Sequence, residues 1–97
     1  MILEAAPLDV RPGQETAFEA AFAEASPLIA SMRGYRKHTL QRCLENASKY
    51  LLLVEWDTLE DHTVGFRGSP EYQQWRALLH HFYEPFPTVL HYEEVGA

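Results

Sequence analysis

The chain has 97 residues, 46% of them hydrophobic and 23% charged, which is the size of one globular domain, since single cores divide only beyond about 250 residues. Eight Lys plus Arg against fourteen Asp plus Glu leave a net charge of −6, the wrong sign for a surface that must neutralise nucleic-acid phosphates. The longest run of aliphatic residues is Leu51 to Val54, far short of the roughly 20 residues of a membrane-spanning helix. No basic segment followed by an apolar stretch resembles a signal peptide, so a cytoplasmic setting is expected. The single Cys43 forms no internal disulfide and agrees with a reducing compartment.

Turn signals divide residues 1–97, read as one domain, into six segments. Residues 1–10 alternate Ile2, Glu4, Ala6 and Leu8 with Leu3, Ala5, Pro7 and Asp9, a strand in which Pro7 marks a free edge or a bulge. Arg11-Pro12-Gly13 ends it. In residues 14–32, Phe18, Ala21, Phe22, Ala25, Leu28, Ile29 and Met32 fall in steps of three and four on one helical face. Pro27 should kink or break this helix, and Gly34 suits a left-handed residue after its end. Residues 35–44 and 49–57 read as strands joined through Glu45-Asn46-Ala47-Ser48 into a hairpin. Tyr50, Leu52, Val54 and Trp56 share one face of the second strand, with Leu51 and Leu53 on the other, so both faces read as buried.

Thr58 with Asp61 resembles a capping box and opens a helix to about Phe66. Ser69-Pro70-Glu71 starts another in the order of cap, first-position proline and early acid, turning Tyr72, Trp75, Leu78, Leu79 and Phe82 inward. Pro85 and Pro87 stop it, and residues 88–95 form the last strand. The order β-α-β-β-α-β predicts an α+β, ferredoxin-like antiparallel sheet of four strands with both helices on one face. The apolar residues on the opposite face then predict a twofold homodimer.

No dinucleotide fingerprint, phosphate loop, cysteine pair, nucleophile elbow or His-Glu-x-x-His occurs, so no organic cofactor and no metal is expected. His80 with Glu84 shares a helical face but lacks a third ligand. His38 and His91 lie in strands without a defined partner, and Gly65-Phe66-Arg67-Gly68 reads as a helix break. His62 differs. Leu59, His62, Thr63 and Phe66 are spaced along one helical face, and Leu59 and Phe66 turn that face toward the sheet. Burial would keep the imidazole neutral, the state a general base requires. The spacing leaves open whether His62 is a core histidine bonded to the backbone or a group facing a ligand. Trp56, Phe66, Tyr72, Trp75 and Phe82 are open to the same two readings, packing or the walls of a flat cavity for a planar ligand.

The stretch Val54-Glu55-Trp56-Asp57-Thr58, continuing through Asp61-His62 to Phe66-Arg67-Gly68-Ser69 and Tyr72, resembles the antibiotic biosynthesis monooxygenase family. Gly13 and Gly34 also sit where that family places them. The resemblance implies a dimeric α+β barrel with a pocket between helices and sheet in each protomer. It also implies oxidation of electron-rich phenols, anthrones or quinols by molecular oxygen without metal or flavin, although other members isomerise small ligands or have no assigned activity, which leaves an isomerase or a noncatalytic small-ligand-binding or stress-related barrel as the alternatives. Carried onto this chain, it implies His62 as base or proton shuttle, Trp56, Phe66, Tyr72 and Trp75 shaping the cavity, and Arg76 holding an anionic oxygen. Haem-degrading relatives share the layout, but the positions matching their Asn, Trp and axial His are here Pro7, Phe66 and Arg76, which argues against haem chemistry.

Overall fold

In the computed structural model, which describes residues 1–96, the alternation of the first segment forms β1 (Ile2–Asp9). The stepped apolar residues of the second form α1 (Glu15–Ala30), with Phe18, Phe22, Ala25 and Ile29 buried. The hairpin is β2 (Tyr35–Arg42) and β3 (Lys49–Trp56). A single π-helical turn (Asp61–Phe66), α2 (Pro70–Leu79), a 3-10 turn (His80–Phe82) and a short β4 (Leu90–Tyr92) complete the chain. The strands lie in the order β2-β3-β1-β4, every neighbouring pair antiparallel, which is the ferredoxin-like arrangement expected from the sequence.

Several local expectations hold for the physical reasons given. Thr58 and Asp61 cap reciprocally: the Thr58 amide donates to the Asp61 carboxylate and the Asp61 amide to Thr58 Oγ1, both at 3.2 Å. Ser69 Oγ accepts from the Tyr72 amide at 3.1 Å, with Pro70 opening α2 where its missing donor costs nothing. Gly34 has a φ of +83° and lies directly against the Asp61 side chain, so a Cβ there would be both strained and obstructed.

Pro7 lies inside the sheet, yet it does not interrupt pairing, since the β1–β3 register runs through it to Leu51. The backbones of Asp9 and Arg11 bond away from β3, to Glu84 and Phe82, so the odd-numbered residues of β1 face the β4 side. There β4 pairs only with Leu3, Glu4 and Ala5, and Pro7 falls beyond its end, where no donor is needed.

Two expectations are corrected. Pro27 does not break α1, which runs on to Ala30: the proline is on the exposed side, and the four buried residues hold the helix to the sheet around it. The last strand spans three residues rather than eight, because only Leu90, His91 and Tyr92 find partners on β1. The second face of β3, for which the sequence calls for a partner, is left open by its own chain: Leu51 is 38% exposed, and Leu90 and Tyr92, on the same face across β1, are about half exposed.

The core lies between the helices and the other face. Ala6, Leu8, Tyr50, Leu52, Val54 and Trp56 from the sheet meet Phe18, Phe22, Ala25, Ile29, Trp75 and Leu79 from the helices. Alternation along β1 places Glu4 on this same inward face, in phase with Ala6 and Leu8, and it is 95% buried with an exposure of only 5%. The site is built on this acid.

Candidate active site

A carboxylate among apolar side chains must find donors or become neutral, and two ring nitrogens approach one oxygen of Glu4. Trp56 Nε1 donates to Glu4 Oε1 at 3.0 Å, and His62 Nε2 lies 3.3 Å from the same oxygen. The other nitrogen of His62, Nδ1, is 2.7 Å from Nε2 of His91 on β4. Glu4, His62 and His91 therefore form a chain of polar contacts running from the interior to the sheet edge. The Trp56 ring stacks on the imidazole of His62, with centroids 5.4 Å apart and an interplanar angle of 20°.

The π-helical turn is what aims His62. Its extra residue is marked by the Arg67 amide donating to the His62 carbonyl, five residues back, at 3.1 Å. The turn buries His62 and Phe66 together. It also alters the helical phase, so Leu59, expected to face the sheet with them, is 40% exposed instead.

Glu4 and His62 line a cavity of about 350 Å³, large enough for a small polycyclic ligand. Ala6, Leu8 and Leu52 form its sheet side, and Phe66, Tyr72 and Trp75 its helix side. Phe66 packs edge to face with both Tyr72 and Trp75, at 5.2 and 5.6 Å between centroids. His80, Tyr83 and Phe86 form a further wall, and the exposed Arg67 stands at the rim. Among the described residues no carboxylate lies within ion-pairing distance of Arg67.

The electrostatics follow from burial. Desolvation raises the Glu4 carboxyl above the ordinary carboxylate range, with the Trp56 hydrogen bond and the nearby Arg67 charge holding it back. Burial, reinforced by Arg67 and by His91, lowers His62 to about 3. His62 is neutral at pH 7. His91 and His80 are also lowered, chiefly by desolvation, and burial raises the Tyr83 hydroxyl.

Of the residues singled out in the sequence, His62, Phe66, Tyr72 and Trp75 are brought together around this cavity. Three are placed elsewhere, among them Phe82, which packs against Phe18 in the core and does not line the cavity. Trp56 is wholly buried, with 0% exposure, behind His62 rather than on the cavity wall. Arg76 lies on the exposed side of α2 and does not line the cavity; the guanidinium at its rim is that of Arg67. Glu4 and His91 were missed as site residues. Glu4 was legible as an acid in phase with Ala6 and Leu8, an anomaly on a buried face, whereas His91 carries no comparable local signal. Among the described residues, no three His, Cys, Asp or Glu side chains converge as metal ligands, and no helix is long and apolar enough to cross a membrane.

Comparison with known proteins agrees with this architecture. The chain is 60% identical over 95 residues to the uncharacterized protein YczJ of Bacillus subtilis (strain 168), covering 98% of this chain and all of that protein. A crystal structure from Bordetella bronchiseptica, assigned to the antibiotic biosynthesis monooxygenases, superposes with a TM-score of 0.92 at 39% identity, over 97% of this chain and 96% of the other. A variant of SnoaB, a cofactor-independent oxygenase from Streptomyces nogalater, shares the fold with a TM-score of 0.75 at 18% identity, over 99% of this chain and 93% of its own. The family model for antibiotic biosynthesis monooxygenase matches residues 1–78. The chain belongs to the antibiotic biosynthesis monooxygenase family.

Proposed function

We propose that the protein is a cofactor-independent monooxygenase that binds a small electron-rich aromatic of the quinol, phenol or anthrone type and oxidises it with molecular oxygen. The observation that carries this reading is the buried Glu4–His62 pair opening into an aromatic-walled cavity. Such a ligand needs only to lose a proton to become an anion that donates an electron to oxygen. The pair can receive that proton, with His62 at its centre held neutral by burial. For an anthrone the balance closes simply: one oxygen atom becomes the new carbonyl, and the other leaves as water with the two hydrogens of the reacting carbon.

The catalytic unit is proposed to be a homodimer in the cytoplasm. Leu51, Leu90 and Tyr92 on the open face supply the apolar surface for a second copy. An isomerase is the second reading, favoured by the same pair, because proton transfer within the cavity requires no oxygen. Oxygen uptake by metal-free protein with a panel of quinols and anthrones separates the two. Uptake above autoxidation that is lost in folded His62→Gln supports the monooxygenase. Turnover without uptake supports the isomerase, and ligand binding without any turnover sinks both in favour of a binding protein.

A further inference from the structure

Both nitrogens of His62 are already engaged, Nε2 with Glu4 and Nδ1 with His91. A neutral imidazole has one N–H and one lone pair. With Nε2–H turned toward the Glu4 carboxylate 3.3 Å away, the lone pair on Nδ1 accepts from His91, and no lone pair of the ring is left to take a proton from a ligand. Glu4 is different. Both of its protein contacts fall on Oε1. No buried polar side-chain atom among the described residues lacks a partner, so Oε2, which receives no protein hydrogen bond, is the atom that opens on the cavity Glu4 lines.

We propose that Glu4, rather than His62, takes the proton from the bound ligand, with His62 a positioning residue clamped between Glu4 and His91, and Arg67 the counter-charge for the anion left behind. This assignment rests on the cavity being the ligand site, as the function above requires. In the step, a C–H or O–H bond of the ligand breaks, the proton passes to Glu4 Oε2, and the electron pair stays on the ligand. The carboxyl becomes neutral. His62 and Trp56 keep Oε1 fixed throughout, so the free lone pairs of Oε2 remain aimed into the cavity.

The placement of the two charges narrows the ligand class. A carboxylate on the floor disfavours a ligand that already carries negative charge there, and the Arg67 guanidinium at the rim, without a carboxylate partner among the described residues, favours negative charge at the other end. The ligand that fits is a neutral planar weak acid whose acidic hydrogen and charge-receiving oxygen lie at opposite ends of the ring system. Anthrone, with its acidic carbon para-disposed to its carbonyl, and para-quinols have this form.

Anaerobic exchange of the acidic anthrone hydrogens with D2O, followed by proton NMR, tests the assignment apart from any oxygen chemistry. Wild type is expected to accelerate exchange over buffer. Glu4→Gln, whose amide oxygen can still accept from Trp56 and His62, should lose roughly 100-fold of that rate, the usual share of a general base, while anthrone binding stays within about threefold. His91→Gln should reduce the rate less and shift its pH midpoint, because the groups around Glu4 (His62, Arg67 and Tyr83, with Tyr72 and His80 across the cavity) remain. Exchange by Glu4→Gln at the wild-type rate overturns the assignment. Exchange without oxygen uptake refutes the oxygenase and leaves Glu4 as the base. If wild type does not bind anthrone, nitrogen-15 NMR of His62 decides: an Nε2–H tautomer that stays neutral from pH 5 to 8 supports the clamp, and a freely titrating imidazole overturns it.

Discussion

Trp56→Ala perturbs the fold and the site through one side chain. A tryptophan buries about 150–250 Å², which at about 25 cal/mol per Å² corresponds to roughly 4–6 kcal/mol of transfer free energy. Alanine recovers a part of this, and measured truncations of buried aromatic residues cluster near 3–5 kcal/mol. Full burial of Trp56 places the expected loss in that range. Trp56→Phe isolates the polar part, since it keeps most of the ring but leaves Glu4 Oε1 without its indole donor. Hydrogen bonds to charged groups contribute about 1.5–3 kcal/mol, so this variant should lose about 2 kcal/mol, and less in a Glu4→Gln background. Urea denaturation at fixed protein concentration measures all three, the concentration being held constant because self-association would add to apparent stability. A loss below about 1 kcal/mol for Trp56→Ala would refute the packing and the hydrogen bond together.

Stability should fall as pH drops below about 6.5, because unfolded histidine binds a proton there while folded His62, lowered to about 3, does not. The slope attributable to His62 approaches 1.4 kcal/mol per pH unit at most, is opposed at lower pH by the raised Glu4, and should shrink in His62→Phe; unchanged melting curves from pH 7 to 5 would contradict it. Gly34→Ala should cost more than about 1 kcal/mol, since its φ of +83° and the adjoining Asp61 side chain leave no room for a Cβ, and a neutral effect on thermal unfolding would show that the turn is not as described. Arg67→Gln should raise the pH midpoint of anthrone oxidation by removing the positive charge that favours the ligand anion, whereas an unmoved profile would place Arg67 outside the reaction. Sedimentation at micromolar concentration should find a dimer, and Leu51→Glu should shift it toward monomer.

The elements legible in the sequence were those set by local chemistry. The alternation in β1, the three-and-four spacing of Phe18, Phe22, Ala25 and Ile29, and the caps at Thr58 and Ser69 each act within a few residues. The site is written at long range. Trp56 reaches Glu4 across 52 positions, and His91 reaches His62 across 29. Those contacts depend on the register of β1 between β3 and β4, which pairs Ile2 with Trp56 and Glu4 with His91, and no local pattern fixes that register. Helical spacing did turn His62 and Phe66 inward, but it assumed 3.6 residues per turn, and the π-helical turn left Leu59 outside. Arg76 and Arg67 illustrate the same point, since one residue follows a cavity tryptophan in sequence while the other stands at the cavity rim in space.

Labelled oxygen tests the central claim most directly. Metal-free protein given anthrone under ¹⁸O2 should release anthraquinone carrying one ¹⁸O atom, detected by mass spectrometry, at a rate well above autoxidation, and folded Glu4→Gln should return that rate to background. Product formed no faster than in buffer, or labelled equally fast by the variant, would contradict proton removal at the Glu4–His62 pair as the step that opens the ligand to oxygen.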